Sequence, residues 1–211
     1  MIYEMRTYTV KSGELGTVVK NASEVAREVR GDNFGKLEGY WQTEIGPLST
    51  VMHLWSFESL DERSRLRGEL ANHKPWTEDY LPLILPRLVR QEIRLMNAFL
   101  PFKAPETEDN IYEFRYYRTR PGLWKQWTEK FAAVMPAREK YSKNVCAWSV
   151  EAGEPNEVCH LWAYRDLNER SQARAAAAAD PDWQAFLGET VPLLASAGNC
   201  LLVPAPHSPL K

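Results

Sequence analysis

Residues 2–10, Ile-Tyr-Glu-Met-Arg-Thr-Tyr-Thr-Val, alternate at period two, the pattern of a strand with one buried face. After Gly13 the period changes. Apolar residues fall at Leu15, Val18, Val19, Ala22, Val25, Ala26 and Val29, the stripe of an amphipathic helix. Two β-rich runs follow, Phe34 to Thr43 and Thr50 to Phe57, and Glu44-Ile45-Gly46-Pro47 between them predicts a hairpin turn. A second helix is predicted to open at Ser59-Leu60-Asp61-Glu62, where a capping serine precedes a glutamate by three positions. A break near Pro75-Trp76, a short helical turn and a last strand, Arg90 to Ala98, complete a β-α-β-β-α-β order.

This pattern is written twice. Ile2-Tyr3-Glu4-Met5-Arg6-Thr7-Tyr8 returns 109 positions later as Ile111-Tyr112-Glu113-Phe114-Arg115-Tyr116-Tyr117, and His53-Leu54-Trp55 returns 107 positions later as His160-Leu161-Trp162. Trp124, Trp127, Phe131 and Val134 repeat the helix after Gly122. Val145 to Val150 and Val158 to Tyr164 repeat the hairpin, Asp166-Leu167-Asn168-Glu169 the capped start, and Gly198 to Val203 the last strand. The expectation is an α+β chain of two ferredoxin-like βαββαβ repeats, over 1–103 and 108–204, each a four-stranded antiparallel sheet with both helices on one face. The open sheet face needs a cover, and the other copy, sheet against sheet, is the simplest one. The tail Pro204-Ala205-Pro206-His207-Ser208-Pro209 reads as a loose end, because proline removes backbone donors.

The paired I-Y-E-(M/F)-R-x-Y openings, Trp41 and Trp148, and the two H-L-W-(S/A)-(F/Y)-x-(S/D)-L-(D/N)-E-R-S runs resemble the NIPSNAP family of the dimeric α+β barrel superfamily, across nearly the whole chain. That resemblance implies antiparallel sheets packed as a barrel with a cavity, closed within one chain or between subunits, and a homo-oligomer is expected. It also implies a small-molecule ligand with cofactor-independent oxygenation, isomerisation or sequestration. The alternative is a non-enzymatic protein-interaction module. Some relatives in the superfamily bind haem through a histidine, but no feature of this sequence favours it, and no cofactor is expected.

Alternation along the strands sorts the repeated residues by face. Glu4, Arg6 and Tyr8 share one side of the first strand, and His53 and Trp55 one side of the third, with Glu113, Arg115, Tyr117, His160 and Trp162 as counterparts. With the helices assigned to the more apolar face, these ten residues are expected inside the barrel. There Glu4, Arg6, Tyr8, Trp55, Glu113, Arg115, Tyr117 and Trp162 would hold a small, planar, partly anionic ligand, and His53 and His160 would transfer protons. A structural role, ion pairs and core packing, explains the same residues, and recurrence in both copies fits it. Differences between copies are therefore informative: Tyr40 against Ala147, His73 against Asp180, Lys74 against Pro181. His73-Lys74 also suits a helix end, and Tyr40 strand packing.

Composition narrows the classes. Twenty-six basic and 28 acidic residues leave a formal charge of -2, which gives no broad positive field for nucleic acid. No apolar stretch reaches membrane-spanning length, and the N-terminus lacks the pattern of a signal peptide, so a cytoplasmic protein is expected. Cys146, Cys159 and Cys200 show no CxxC spacing and read as buried thiols, and the four histidines show no metal-ligand spacing. Nucleotide-binding and serine-hydrolase motifs are absent.

Overall fold

A computed structural model describes residues 1–211. The first repeat runs β1 (Ile2–Val10), α1 (Leu15–Asn21, a π-helical turn Ala22–Ala26, then Arg27–Arg30), β2 (Lys36–Ile45), β3 (Thr50–Phe57), α2 (Leu60–Ala71), α3 (a π turn Pro75–Tyr80 into Leu81–Ile84), a 3-10 turn Leu85–Arg87, and β4 (Leu88–Leu100). The second runs β5 (Ile111–Thr119), α4 (Trp124–Arg138), β6 (Lys143–Ala152), β7 (Glu157–Tyr164), α5 (Leu167–Ala178), α6 (Pro181–Thr190), a 3-10 turn Val191–Leu193, and β8 (Leu194–Pro204). Both are βαββαβ, the α+β class expected. The chain forms two compact units, 1–95 with 203–211, and 96–202. No helix is long and apolar enough to cross a membrane.

In the first unit β3 lies antiparallel between β1 and β2, with Arg6 opposite His53 and His53 opposite Tyr40. In the second, β5 is flanked by β8 and β7, and β6 pairs with β7, all antiparallel. Each β2-type strand carries a register shift in the same place, between Leu37 and Gly39 and between Asn144 and Cys146. A bulge adds one residue and reverses the side-chain parity. It therefore brings Leu37 and Tyr40 onto one face, where both join the same buried cluster.

The helices are capped as their sequences suggest. Ser59 accepts from the Glu62 amide, and Asp166 accepts from those of Asn168 and Glu169. The first long helix departs from a plain α-helix. Leu15 and Trp124 open the two helices 109 positions apart, but Arg30 and Arg138 close them 108 apart, so the first holds one extra residue. The π turn absorbs it, since a π turn takes one more residue than an α turn.

Two expectations are corrected. The polar-aromatic side of the sheet faces the helices: Val51, Trp55 and Phe57 of β3 pack with Val18 and Ala22 of α1, Leu66 of α2, and Tyr80 and Ile84 of α3. Period two separates the two faces but does not say which one the helices cover, and the face with Tyr3, Met5 and Leu54, although more apolar, is the one turned away from them. The tail is also docked. Ala205, Ser208 and Leu210 are buried, the Ala205 amide donates to the Tyr40 carbonyl at 2.9 Å, and the Tyr40 amide donates to Ser208 Oγ at 2.9 Å. The prolines remove donors from this segment, but β2 provides partners for the amides that remain.

Candidate functional site

Between the sheet and helices of the first unit lies a cavity of about 320 Å3, lined by Arg6 and Tyr8 of β1, Leu37 and Tyr40 of β2, and His53 and Trp55 of β3. The helices contribute Ala22, Ala26, Arg27 and Arg30 of α1, Arg67 and Leu70 of α2, and Trp76, Tyr80, Leu81 and Ile84 of α3, and the tail adds His207. Small side chains at Ala22 and Ala26 leave the space open.

The wall is aromatic. His53 stacks on Tyr40 at 5.1 Å and meets the Tyr8 edge at 4.8 Å, while His207 packs on Tyr40 at 4.5 Å and bonds the Ser23 hydroxyl at 2.6 Å. Trp76 and Tyr80 lie 4.6 Å apart. Such a wall suits a flat ligand.

Four arginines line this space and no carboxylate does. Two of them are compensated. Arg27 forms a two-point bond with Asp32, and Arg6 donates to Glu4 at 2.7 Å and to the Tyr8 hydroxyl at 2.5 Å. Glu4 also receives Arg63 of α2. Burial opposes the Glu4 charge, but Arg6 and Arg63 outweigh it and hold the carboxyl below its usual range.

Arg30 and Arg67 have no carboxylate partner. Arg30 is 4% exposed, places its guanidinium carbon over the Trp55 ring at 3.3 Å from the centroid, donates to the Phe34 carbonyl at 2.8 Å, and leaves its buried Nε unpartnered. Burial, reinforced by the Arg67 and Arg6 charges, pushes Arg30 down to about 9, and burial followed by Arg6 lowers Arg67. Both keep their protons at neutral pH. Their depression expresses positive charge gathered in a buried place without its counter-charge.

The tautomer of His53 follows from its neighbour. Trp55 Nε1–H, which can only donate, gives its hydrogen bond to His53 Nδ1 at 2.6 Å. Burial, then Arg6 and Arg30, hold the imidazole well below its ordinary range. A neutral ring accepting at Nδ1 carries its proton on Nε2. His53 is thus set to donate a hydrogen bond, not to take up a proton.

The second unit repeats the polar framework around a filled interior. Trp162 Nε1–H donates to His160 Nδ1 at 2.5 Å, Arg115 donates to the Tyr117 hydroxyl at 2.5 Å, and Arg138 lies 4.5 Å from the Trp162 ring. Glu113 gathers Arg115, Arg170, Arg174 and Asn199. Trp127 and Phe131, at the places of Val18 and Ala22, pack against His160 at 6.0 and 4.9 Å.

Of the residues singled out in the sequence, Arg6, Tyr8, His53 and Trp55 line the cavity, Glu4 anchors Arg6 behind it, and Tyr40 proves a feature of this half alone. Of their counterparts, Trp162 lies in a packed core with the half-buried Tyr117 against it, His160 is buried among its rings, and Glu113 pairs with the half-buried Arg115. His73 bonds the Val29 carbonyl at 3.0 Å. Sequence reasoning missed Arg30, Arg67, Trp76, Tyr80 and His207. Arg30 and Arg138 did carry a signal, each closing the first helix of its repeat, but the extra residue shifts their spacing from 109 to 108.

The NIPSNAP family pattern matches residues 3–100 and 112–209. The chain belongs to the NIPSNAP family. It is 30% identical to human NipSnap homolog 3B over 214 residues, 99% of this chain and 85% of that protein, and 27% identical to Drosophila melanogaster NipSnap over 222 residues, 99% of this chain and 78% of that protein. A solved anthrone oxidase-like protein superposes with a TM-score of 0.68 at 11% identity, covering 100% of this chain and 94% of that one, a likeness of fold alone. These relatives and the βαββαβ repeats put the NIPSNAP chain in the dimeric α+β barrel class.

Proposed function

We propose that the first repeat binds a small organic anion with a flat, apolar body, in the cavity between sheet and helices. The observation that carries this is the buried Arg30, stacked on Trp55, with an unpartnered Nε and no carboxylate. An anionic group placed at Arg30 and Arg67 would supply the missing counter-charge, with charge-assisted hydrogen bonds stronger than neutral ones. His53 Nε2–H adds a neutral donor for an acceptor atom on the ligand, and Tyr40, Trp76 and Tyr80 cover its faces.

This arrangement supports binding of an already ionised molecule. No carboxylate lines the cavity and the Nδ1 of His53 is already taken by Trp55, so His53 polarises an acceptor in place of the proton-transfer role first considered for it. If turnover occurs, the substrate must be acidic enough to ionise beside the arginines, as enols and phenols are. Oxygenation or isomerisation of such an anion fits the site. An interaction module without a ligand does not account for an open, charged cavity.

The test is calorimetric titration of the full chain with 1-hydroxy-2-naphthoate as a flat anionic probe. One site is expected, with affinity lowered at least tenfold in Arg30→Gln. Equal affinity in that variant, or no binding by the wild type across a set of aromatic carboxylates, would count against the proposal.

A further inference from the structure

The second repeat has the same polar frame with nothing left to bind. His160 is buried, its Nδ1 accepts from Trp162, and the Nε2 that must therefore carry the proton has no partner. Leaving a buried donor unpaired costs stability, and a core selected only for packing has no use for it. In the first repeat the equivalent Nε2–H belongs to a residue that lines the open cavity. Arg138, like Arg30, is buried beside a tryptophan ring without a carboxylate partner, donating to Ser142 Oγ at 2.6 Å. What differs is volume: Phe131 stands where Ala22 lines the open cavity, Trp127 replaces the smaller Val18, and both rings lie against His160.

We propose that the second repeat is a latent binding site of the same class, for a small flat organic anion, occupied by its own Phe131 and Trp127 rings in place of a ligand. This rests on the anion-binding reading of the first repeat. The ligand it would take is smaller and carries a single anionic group, because Arg174 reaches Glu113 at 3.4 Å while Arg67, its counterpart, is unpaired. Arg138 alone remains for the anion. His160 supplies the neutral donor, as His53 does.

The site should be movable by exchanging two side chains. Ala22→Phe is expected to fill the first cavity and reduce binding of 1-hydroxy-2-naphthoate or of the smaller salicylate at least tenfold, as measured by calorimetry on the full chain. Adding Phe131→Ala to that variant is expected to restore one site for salicylate. A further His160→Gln is expected to weaken that restored site at least fivefold, whereas His53→Gln in the same background is expected to leave it unchanged. A folded double variant that binds neither probe while the wild type binds would overturn the proposal and leave the first-repeat reading intact. Absence of binding by the wild type would instead overturn the reading on which it rests. A second measurement needs no substitution: nitrogen-15 spectra of the wild-type histidine rings are expected to show His160 protonated at Nε2, and an unprotonated Nε2 would overturn the proposal even if the exchanged variants fail to fold.

Discussion

At the scale of single residues, two groups govern the site, and they are neighbours through Trp55. Its ring face carries the Arg30 guanidinium and its indole N–H sets the His53 tautomer. Arg30 adds charge that the protein does not compensate, so Arg30→Gln should leave the unfolding free energy within about 1 kcal/mol of wild type, the loss of the bond to the Phe34 carbonyl being offset by relief of like-charge repulsion. Denaturant unfolding checks this, and a loss of several kcal/mol would mean that Arg30 holds the fold and not a ligand. The histidines predict a pH dependence. His53 and His160 are held well below their ordinary range by burial, and His207 is lowered to about 4, so each is neutral in the folded chain where the unfolded chain would be protonated. Stability is therefore full above about pH 6.5 and falls on acidification, by up to about 1.4 kcal/mol per pH unit for each fully buried ring. For His207 the window runs from 6.5 to about 4. Unfolding titrations from pH 7.5 to 4.5 should show this slope, and His207→Gln should reduce it by the share of one ring, leaving that of His53 and His160. Because His53 stays neutral, affinity for an aromatic carboxylate should not change between pH 6 and 8. A titration of affinity near pH 6.5 would contradict the assigned tautomer.

At the scale of elements, helix stripes, capping residues and hairpin turns were legible because each depends on residues close in sequence. The features that shape the cavity were not. The π turn at Ala22–Ala26 follows from one extra residue measured against the other copy, and the bulge near Glu38 from a register that only the paired strand reveals. The tail is the clearest case. Three prolines among residues 204–209 speak against regular structure, yet Ser208 Oγ accepts the Tyr40 amide and His207 packs on the Tyr40 ring. Ser208→Ala leaves that buried amide unpaired and should lower the unfolding free energy by about 1–3 kcal/mol, measured in denaturant. His207→Ala should leave the fold intact and speed dissociation of the naphthoate probe in stopped-flow fluorescence, since it removes one wall of the cavity. Unchanged dissociation would show that the tail supports β2 without shaping the site.

At the scale of the whole chain, the doubled motif carried the architecture: two copies of Ile-Tyr-Glu-x-Arg and His-Leu-Trp lead to two βαββαβ units of the NIPSNAP family. The same doubling concealed where a ligand can go. Glu, Arg, Tyr, His and Trp recur in both halves with nearly the same hydrogen bonds, while the space beside them follows Ala22 against Phe131, apolar positions that look equivalent in a hydrophobic pattern. Alternation also could not say which sheet face the helices cover, and the ion pair from Arg63 of α2 to Glu4 decides it. Similar frames with different fillings imply that only one half responds to ligand. Nitrogen-15 spectra of the four histidine rings during titration with 1-hydroxy-2-naphthoate test this most directly. The expected result is a saturable shift of His53 Nε2, still protonated, with His160 unmoved; a shift of His160 in its place, or no shift of His53 by a probe that demonstrably binds, would contradict a ligand site in the first repeat.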